Sequence, residues 1–373
     1  MLSVSSAGTA SAARAEPPDG PAVGPQQPGD QQPGDRFPVT LDPERRNALR
    51  GIKLRALVDG SGVGLTDDVS ADGDHLFDGS RQWTLASEDT PGAALGAGLL
   101  RAGRHGDVTP LTVCFDDADE AARAARRVVA LEPAPEVRLV DGRSLVTVSP
   151  EGDPGPRSDS SPDGFAAQFN DLCRCVGVEP ILEHGMWRGE VLGLEVVRAV
   201  VDPDGGAPAV EVGVGRFDRE AGVLMRAGRS DSEALAAAAD LVRSQRRPGA
   251  GAHPLATLAR ERWMRRDLCT RPATVGLVEL APIDPADERL NLRDPAPAPA
   301  LGADADGGRV LVVCSVGVDP HLVSAVAELV LREVPDRVVV ALPVRDVLAP
   351  VERTVARLRV PSSVVGVACS WDA

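Results

Sequence analysis

Two stretches of this chain repeat one alternation of short apolar runs and helix-patterned segments, and that alternation narrows the fold more than any other feature. In the first, strand-like runs at 82–86, 111–115 and 136–140 are separated by helical patterns at 91–104 and 118–130. In the second, runs at 309–314, 337–342 and 364–368 are separated by helical patterns that open after Asp319-Pro320 and at Pro350. Thr90-Pro91 and Asp319-Pro320 each set a capping side chain before a proline at the first helical position, where the missing N–H costs nothing. Asp116 to Glu120 bring carboxylates to the next helix start, favourable against the positive end of the helix dipole. Apolar strands alternating with helices form parallel sheets covered on both faces, so each stretch is expected to be a β-α-β-α-β unit of an α/β protein. Pro91 and Pro320 are 229 residues apart, Val137 and Val364 227. An internal duplication would produce that near-constancy, and so would the standard lengths of strands, helices and right-handed crossovers.

Segments rich in Pro, Gly and Asp divide the 373 residues. Residues 1–38 hold almost no large apolar side chain and are expected to be a disordered tail. Residues 150–164 and 282–308, the latter with Pro295-Ala296-Pro297-Ala298-Pro299, read as linkers or long surface loops. The folded pieces are therefore expected at 39–149, 165–281 and 309–373, consistent with two or three domains at this length.

The middle piece has a different order. Residues 165–175 read as a helix, 190–201 and 210–215 as strands joined by the turn Asp202-Pro203-Asp204-Gly205-Gly206, and Ser230 with Glu233 as a capping box that opens a helix. A second helix is expected at 255–269 and a short strand at 277–280. The two outer units would thus flank a central helix, β-hairpin, helix piece. With Glu190, Glu195 and Glu211 in the hairpin, residues 165–281 resemble the PD-(D/E)xK nuclease-like fold. The resemblance implies an acid at a strand start and an acid-x-lysine on the next strand, together holding a divalent metal such as Mg²⁺. Glu211-Val212-Gly213 occupies the second position and Glu195 or Asp202 the first. The lysine is absent, and Arg216 nearby is too basic to accept a proton. What the resemblance implies here is a nuclease-like module without catalysis. The alternative for the glutamates is a solvated hairpin paired with Arg188, Arg198 or Arg216.

The chain carries a net charge of −15, which repels nucleic acid unless basic groups are clustered. They are clustered. Between Leu241 and Arg271 stand Arg243, Arg246, Arg247, Arg260, Arg262, Arg265, Arg266 and Arg271 against Glu261 and Asp267, a local charge of +6. With Trp263 in the run, such arginines could track a phosphate backbone and stack on a base. The same spacing suits a face that neutralises acids within the protein, with Trp263 in a core. The leading expectation is a non-catalytic module that contacts nucleic acid through this segment. A second is a scaffold or regulatory protein that binds a small molecule or protein partner across the α/β units; the partners considered are nucleic acid, a protein or, in a homo-oligomer, another copy of the chain. A metal-dependent nuclease is third.

Composition excludes several chemistries. Lys53 is the one lysine among 40 basic residues and there is no tyrosine, a pattern that fits base-composition bias in a high-GC genome. Schiff-base and P-loop chemistry away from Lys53 is excluded, and no GxSxG or HExxH occurs. No metal site is expected. The five histidines are scattered, and Cys173-Arg174-Cys175 is too closely spaced for a structural zinc pair. No cofactor is expected outside the nuclease reading. Glu179, Glu183 and His184 form a candidate acid/base cluster. The strand-end loop 314–319 is a candidate ligand loop, although Asp319 would oppose a phosphate. The Ser87-Glu88-Asp89-Thr90 loop is more acidic still. Six cysteines without a small-domain pattern, the lack of an 18-residue apolar run and a leader without an apolar core predict a cytoplasmic chain with reduced thiols and no membrane span.

Overall fold

A computed structural model describes residues 42–372, apart from 67–68, 107–108, 153–154, 156–163, 201–207, 216–228, 249–252 and 290. The expected disordered tail at 1–38 and most of the expected linker at 150–164 lie outside the described residues.

The fold is α/β. Helix α1 (Pro43–Gly60) precedes a six-stranded sheet whose strands lie side by side in chain order: β1 (Ser70–Asp72), β2 (His75–Phe77), β3 (Gln82–Leu85), β4 (Leu111–Phe115), β5 (Glu136–Asp141) and β6 (Ser144–Thr147). β1 to β3 form an antiparallel meander, β3 to β5 are parallel, and β6 returns antiparallel on β5. The parallel crossovers carry α2 (Ala94–Ala102) and α3 (Ala118–Arg127). From Val113 onward β4 is buried on both faces because both are covered. Val113 and Phe115 enter one core with the crossover helices, while Cys114 enters another with Leu54, Leu57 and Val58 of α1.

The C-terminal unit repeats this plan. Helix α6 (Arg260–Thr270) precedes a five-stranded sheet in chain order, β11 (Glu279–Pro282), β12 (Ala298–Ala303), β13 (Arg309–Cys314), β14 (Arg337–Pro343) and β15 (Ser362–Val367). Its polarities match: antiparallel, antiparallel, parallel, parallel. The crossovers carry α7 (Leu322–Glu333) and α8 (Ala349–Val355). Val113 pairs with Val137 as Val340, 227 residues on, pairs with Val364.

The two units pack crossover helices against crossover helices around one shared core. It holds Leu95, Leu99, Val113, Phe115 and Val128 from one side and Leu322, Val326, Leu329, Val340 and Leu342 from the other. α3 meets α7 and α2 meets both α7 and α8. Leu131 and Leu358, again 227 apart, form an antiparallel bridge in which Glu132 N donates to Arg357 O (2.7 Å) and Arg359 N donates to Ala130 O (2.9 Å). That exchange is the pattern of a local two-fold axis. At the helix crossing Gly96 lies against Pro320, where a Cβ would fall 1.9 Å from the carbonyl oxygen.

The central piece consists of α4 (Phe165–Cys175), an antiparallel sheet ordered β10-β9-β8-β7, and α5 (Asp231–Gln245). Its strands are β7 (Glu179–Glu183), β8 (Met186–Val191), β9 (Leu194–Val200) and β10 (Ala209–Val212). Phe169 and Cys173 of α4 and Leu235, Ala239 and Val242 of α5 cover its apolar face. The Ser230–Glu233 capping box is present at the start of α5.

Several boundaries differ from the sequence reading. The single expected strand at 190–201 is the end of β8, a turn and β9. The turns at His184-Gly185 and Leu192-Gly193 have positive φ at both residues, the geometry of tight hairpins, but His and Leu are not the residues that usually announce it. The expected helix at 255–269 breaks at Ala259, which has φ +48, and α6 packs on β11, β12 and β13 rather than with the central helices. Residues 260–281 therefore belong to the C-terminal unit, and 282–308 is not all loop because β12 lies in it. Thr90 makes no side-chain cap hydrogen bond, and α7 begins at Leu322, after His321.

Candidate functional site: the charged face of the central sheet

Period-two alternation puts Glu179 and Glu183 of β7 and Arg188 and Glu190 of β8 on the sheet face opposite α4 and α5, and a register shift at Gly189/Glu190 sets both Arg198 and Glu195 of β9 across from Arg188 and Glu190 on that same face. Against that face lies α6 with its arginines. Arg262 bridges two strands, Nη2 to Glu183 Oε1 at 2.6 Å and Nη1 to Glu190 Oε1 at 2.5 Å. Arg265 Nη2 reaches Glu190 Oε2 at 3.3 Å, and Arg266 Nε reaches Glu179 Oε1 at 2.9 Å. Glu195 is held by Arg188 Nη1 and Arg198 Nη2, both at 2.7 Å. Glu261 pairs with Arg289 at 2.5 Å. Glu183, Glu190, Glu195, Arg262 and Arg265 are all buried, and buried charges persist only when paired and hydrogen-bonded. A glycine is required where the β8–β9 turn rests on α6: Gly193 has φ +76, and a Cβ there would lie 2.4 Å from the Arg262 and Trp263 backbone.

The remaining residues of the arginine segment are placed as follows. Arg246 is buried and donates to the carbonyls of Leu192 (2.6 Å), Leu255 (2.8 Å) and Leu258. Burial pushes its guanidinium down to about 10. It also stacks on Trp263, 5.0 Å from the ring centre, and Trp263 packs against Trp371. Arg260 stacks on Trp371 (5.5 Å), and Arg243 donates to Asp240 and to the carbonyls of Val176 and Gly177. Arg247 is exposed. Arg262, Arg265 and Arg266 thus join α6 to the central sheet, while Arg243 ties α5 to the end of α4.

Of the nuclease-like acids, Glu195 is enclosed by arginines and half-buried Glu211 stands directly across from Arg198 on β10. Asp202 and Arg216 lie outside the described residues. Glu179, Glu183 and His184 are adjacent, but the two acids face α6 while the His184 backbone N–H donates to Asp284 (2.9 Å). In the 314–319 loop, Asp319 accepts from the His321 backbone N–H (2.8 Å) and contacts Ser315 Oγ (3.1 Å), filling the helix start itself. Burial pushes the Asp319 carboxyl up. Cys173 is buried and Cys175 exposed, since residues two apart stand on opposite sides of a helix. Among the described residues no group of three or more His, Cys, Asp or Glu is placed to hold a metal ion, and no helix is long and apolar enough to cross a membrane.

Sequence reasoning singled out the arginines and, separately, Glu183 and Glu190, but did not pair them. Glu179-x-Ile181-x-Glu183 and Arg188-x-Glu190 carry the strand period, a signal that the second hairpin turn had obscured.

The network makes stability acid-sensitive. Burial alone would raise the Glu183 carboxyl, but the guanidinium groups of Arg262, Arg188 and Arg265 outweigh it and hold it at about 2, below its usual 4.5. A depressed folded value stabilises the fold above pH 4.5 and ceases to do so as pH falls towards 2. The urea midpoint is expected to fall steeply across that window, and the fall is expected to flatten in Glu183→Gln. An equal slope in the variant would remove Glu183 as the cause.

Comparison with protein-family models, with curated proteins and with solved structures gives no match.

Proposed function

We propose that the chain is a non-catalytic interaction module that binds a protein partner through its C-terminal α/β unit. The observation that carries this reading is an exposed apolar patch at the carboxyl ends of β13 and β14. Val318, Val344 and Leu348 are 53%, 65% and 42% exposed, and the Gly317 N–H, donating to Asp346 Oδ2 at 2.7 Å, ties their two loops together. Strand carboxyl ends are where α/β sheets bind ligands, and clustered exposed apolar groups mark interaction surfaces. At the matching end of the N-terminal unit stand Asp116, Asp117, Asp119 and Glu120, so symmetry of fold is accompanied by asymmetry of surface. The engagement of Arg246, Arg262 and Arg265 inside the protein favours this reading over a nucleic-acid interface, because a buried guanidinium is not presented to a phosphate backbone.

A photo-crosslinking residue in place of Val344 is expected to give one discrete protein adduct in the producing cells, lost in Val318→Asp. Oligonucleotides at low salt are expected to bind no better than to other acidic proteins. No discrete adduct, or an oligonucleotide affinity that collapses with added salt, would overturn the reading.

A further inference from the structure

The two α/β units differ at one sheet edge. In the N-terminal unit the third parallel strand, β5, is covered by β6, which pairs with it antiparallel from Arg138↔Thr147 to Asp141↔Ser144. In the C-terminal unit β15 takes the place of β5 and is the last strand of its sheet; among the described residues no strand pairs with its far side. The side chains are distributed oppositely to the exposure. Covered β5 contains Glu136, Arg138 and Asp141, whereas bare β15, Ser362-Ser363-Val364-Val365-Gly366-Val367, contains no charge and no proline. Its register on β14 runs without a bulge. Edges that face water are normally blunted by charge, proline or a bulge, and β15 has none of these. Its half-buried valines also leave two cores unfinished at this edge: Val364 packs on the core shared by the units, and Val365 on the core under α6.

We propose that β15 pairs antiparallel with β15 of a second copy across a two-fold axis, joining two five-stranded sheets into one. The N-terminal unit supplies the precedent, since at the equivalent edge of the same fold the covering strand is antiparallel. A two-fold axis between identical strands gives that direction, and such an interface is self-complementary. An uncharged strand with valine on both faces matches itself, because each copy's Val364 and Val365 extend the two layers that the other leaves open. It offers no charge with which to select a charged peptide. The backbone is ready for the pairing. Val338 N donates to Pro361 O (2.9 Å), so alternation along a parallel ladder turns the N–H and C=O groups of Ser362, Val364 and Gly366 outward. This deepens the interaction reading by naming a partner, and it rests on that reading in treating the C-terminal unit as the binding side.

Sedimentation of the full chain from low to high micromolar concentration tests it. The wild-type chain is expected to reach the mass of two copies. Val364→Pro removes an outward donor without touching the β14 ladder, and Ser363→Lys places like charges on an exposed position of both copies. Each is expected to weaken self-association by about tenfold or more while keeping the wild-type circular dichroism. If Val364→Pro misfolds, Ser363→Lys carries the test, because the Ser363 side chain is exposed. A wild-type chain that stays at one copy throughout overturns the proposal, and so does a dimer that both variants leave intact. The partner reading fails separately: no discrete adduct at position 344 in an otherwise wild-type chain, with the two-copy mass retained, removes the apolar patch and leaves the strand pairing standing.

Discussion

Arg262→Ala is expected to destabilise the protein by about 3–5 kcal/mol, read as a shift of the urea midpoint at constant slope. The substitution removes a guanidinium that bridges Glu183 and Glu190 and leaves two carboxylates, each 1% exposed, in a protein interior. Arg265 still reaches Glu190 at 3.3 Å, but Glu183 loses its hydrogen-bonded partner. Arg262→Lys is expected to fall between wild type and alanine, since an ammonium keeps the charge and loses the fork that reaches both strands. Arg266→Ala, which removes a pair with the half-exposed Glu179, is expected to cost under about 1 kcal/mol. Similar losses from Arg262→Ala and Arg266→Ala would mean that the central sheet and α6 are not held by buried charge.

Gly96→Ala is the second large expectation, and its sign is informative. Helix propensity alone favours alanine over glycine by about 1 kcal/mol. At the α2–α7 crossing, however, the new Cβ would lie 1.9 Å from the Pro320 carbonyl oxygen, and backbone cannot step aside as a side-chain tip can. The two units must then separate along their shared core, at a cost of about 3 kcal/mol or more. Gly92→Ala, whose Cβ would meet nothing nearer than His321 at 3.9 Å, is the control and is expected to stay within about 0.5 kcal/mol. A stabilised Gly96→Ala would show that the face-to-face packing of the units is looser than the described contacts.

Much of the architecture was legible in advance because it is locally encoded. The strands at 111–115, 309–314 and 337–342 are short runs rich in Val and Leu followed by helix starts, and β4, β13 and β14 form there. The Ser230–Glu233 box and the helix at 165–175 are likewise local signals, and both are present. The hairpin turns were not legible, because Leu192-Gly193 adopts a geometry that its first residue does not advertise. Nor was the ownership of α6. Its pattern of Trp263, Met264 and Leu268 announces a buried face but not which sheet buries it.

The candidate site divides along the same line. Clustering of arginine is a property of the chain, and no contact is needed to see it. Whether an arginine meets water, phosphate or a glutamate depends on what lies across from it in space, and Arg262 and Glu183 are 79 residues apart. The unit offset of 227 could be counted in the sequence, but its physical meaning rests on the symmetric exchange at Leu131 and Leu358. Local propensity and periodicity choose helices and strands, since each acts within a few residues. Burial and charge pairing choose neighbours, since they act between segments that only folding brings together.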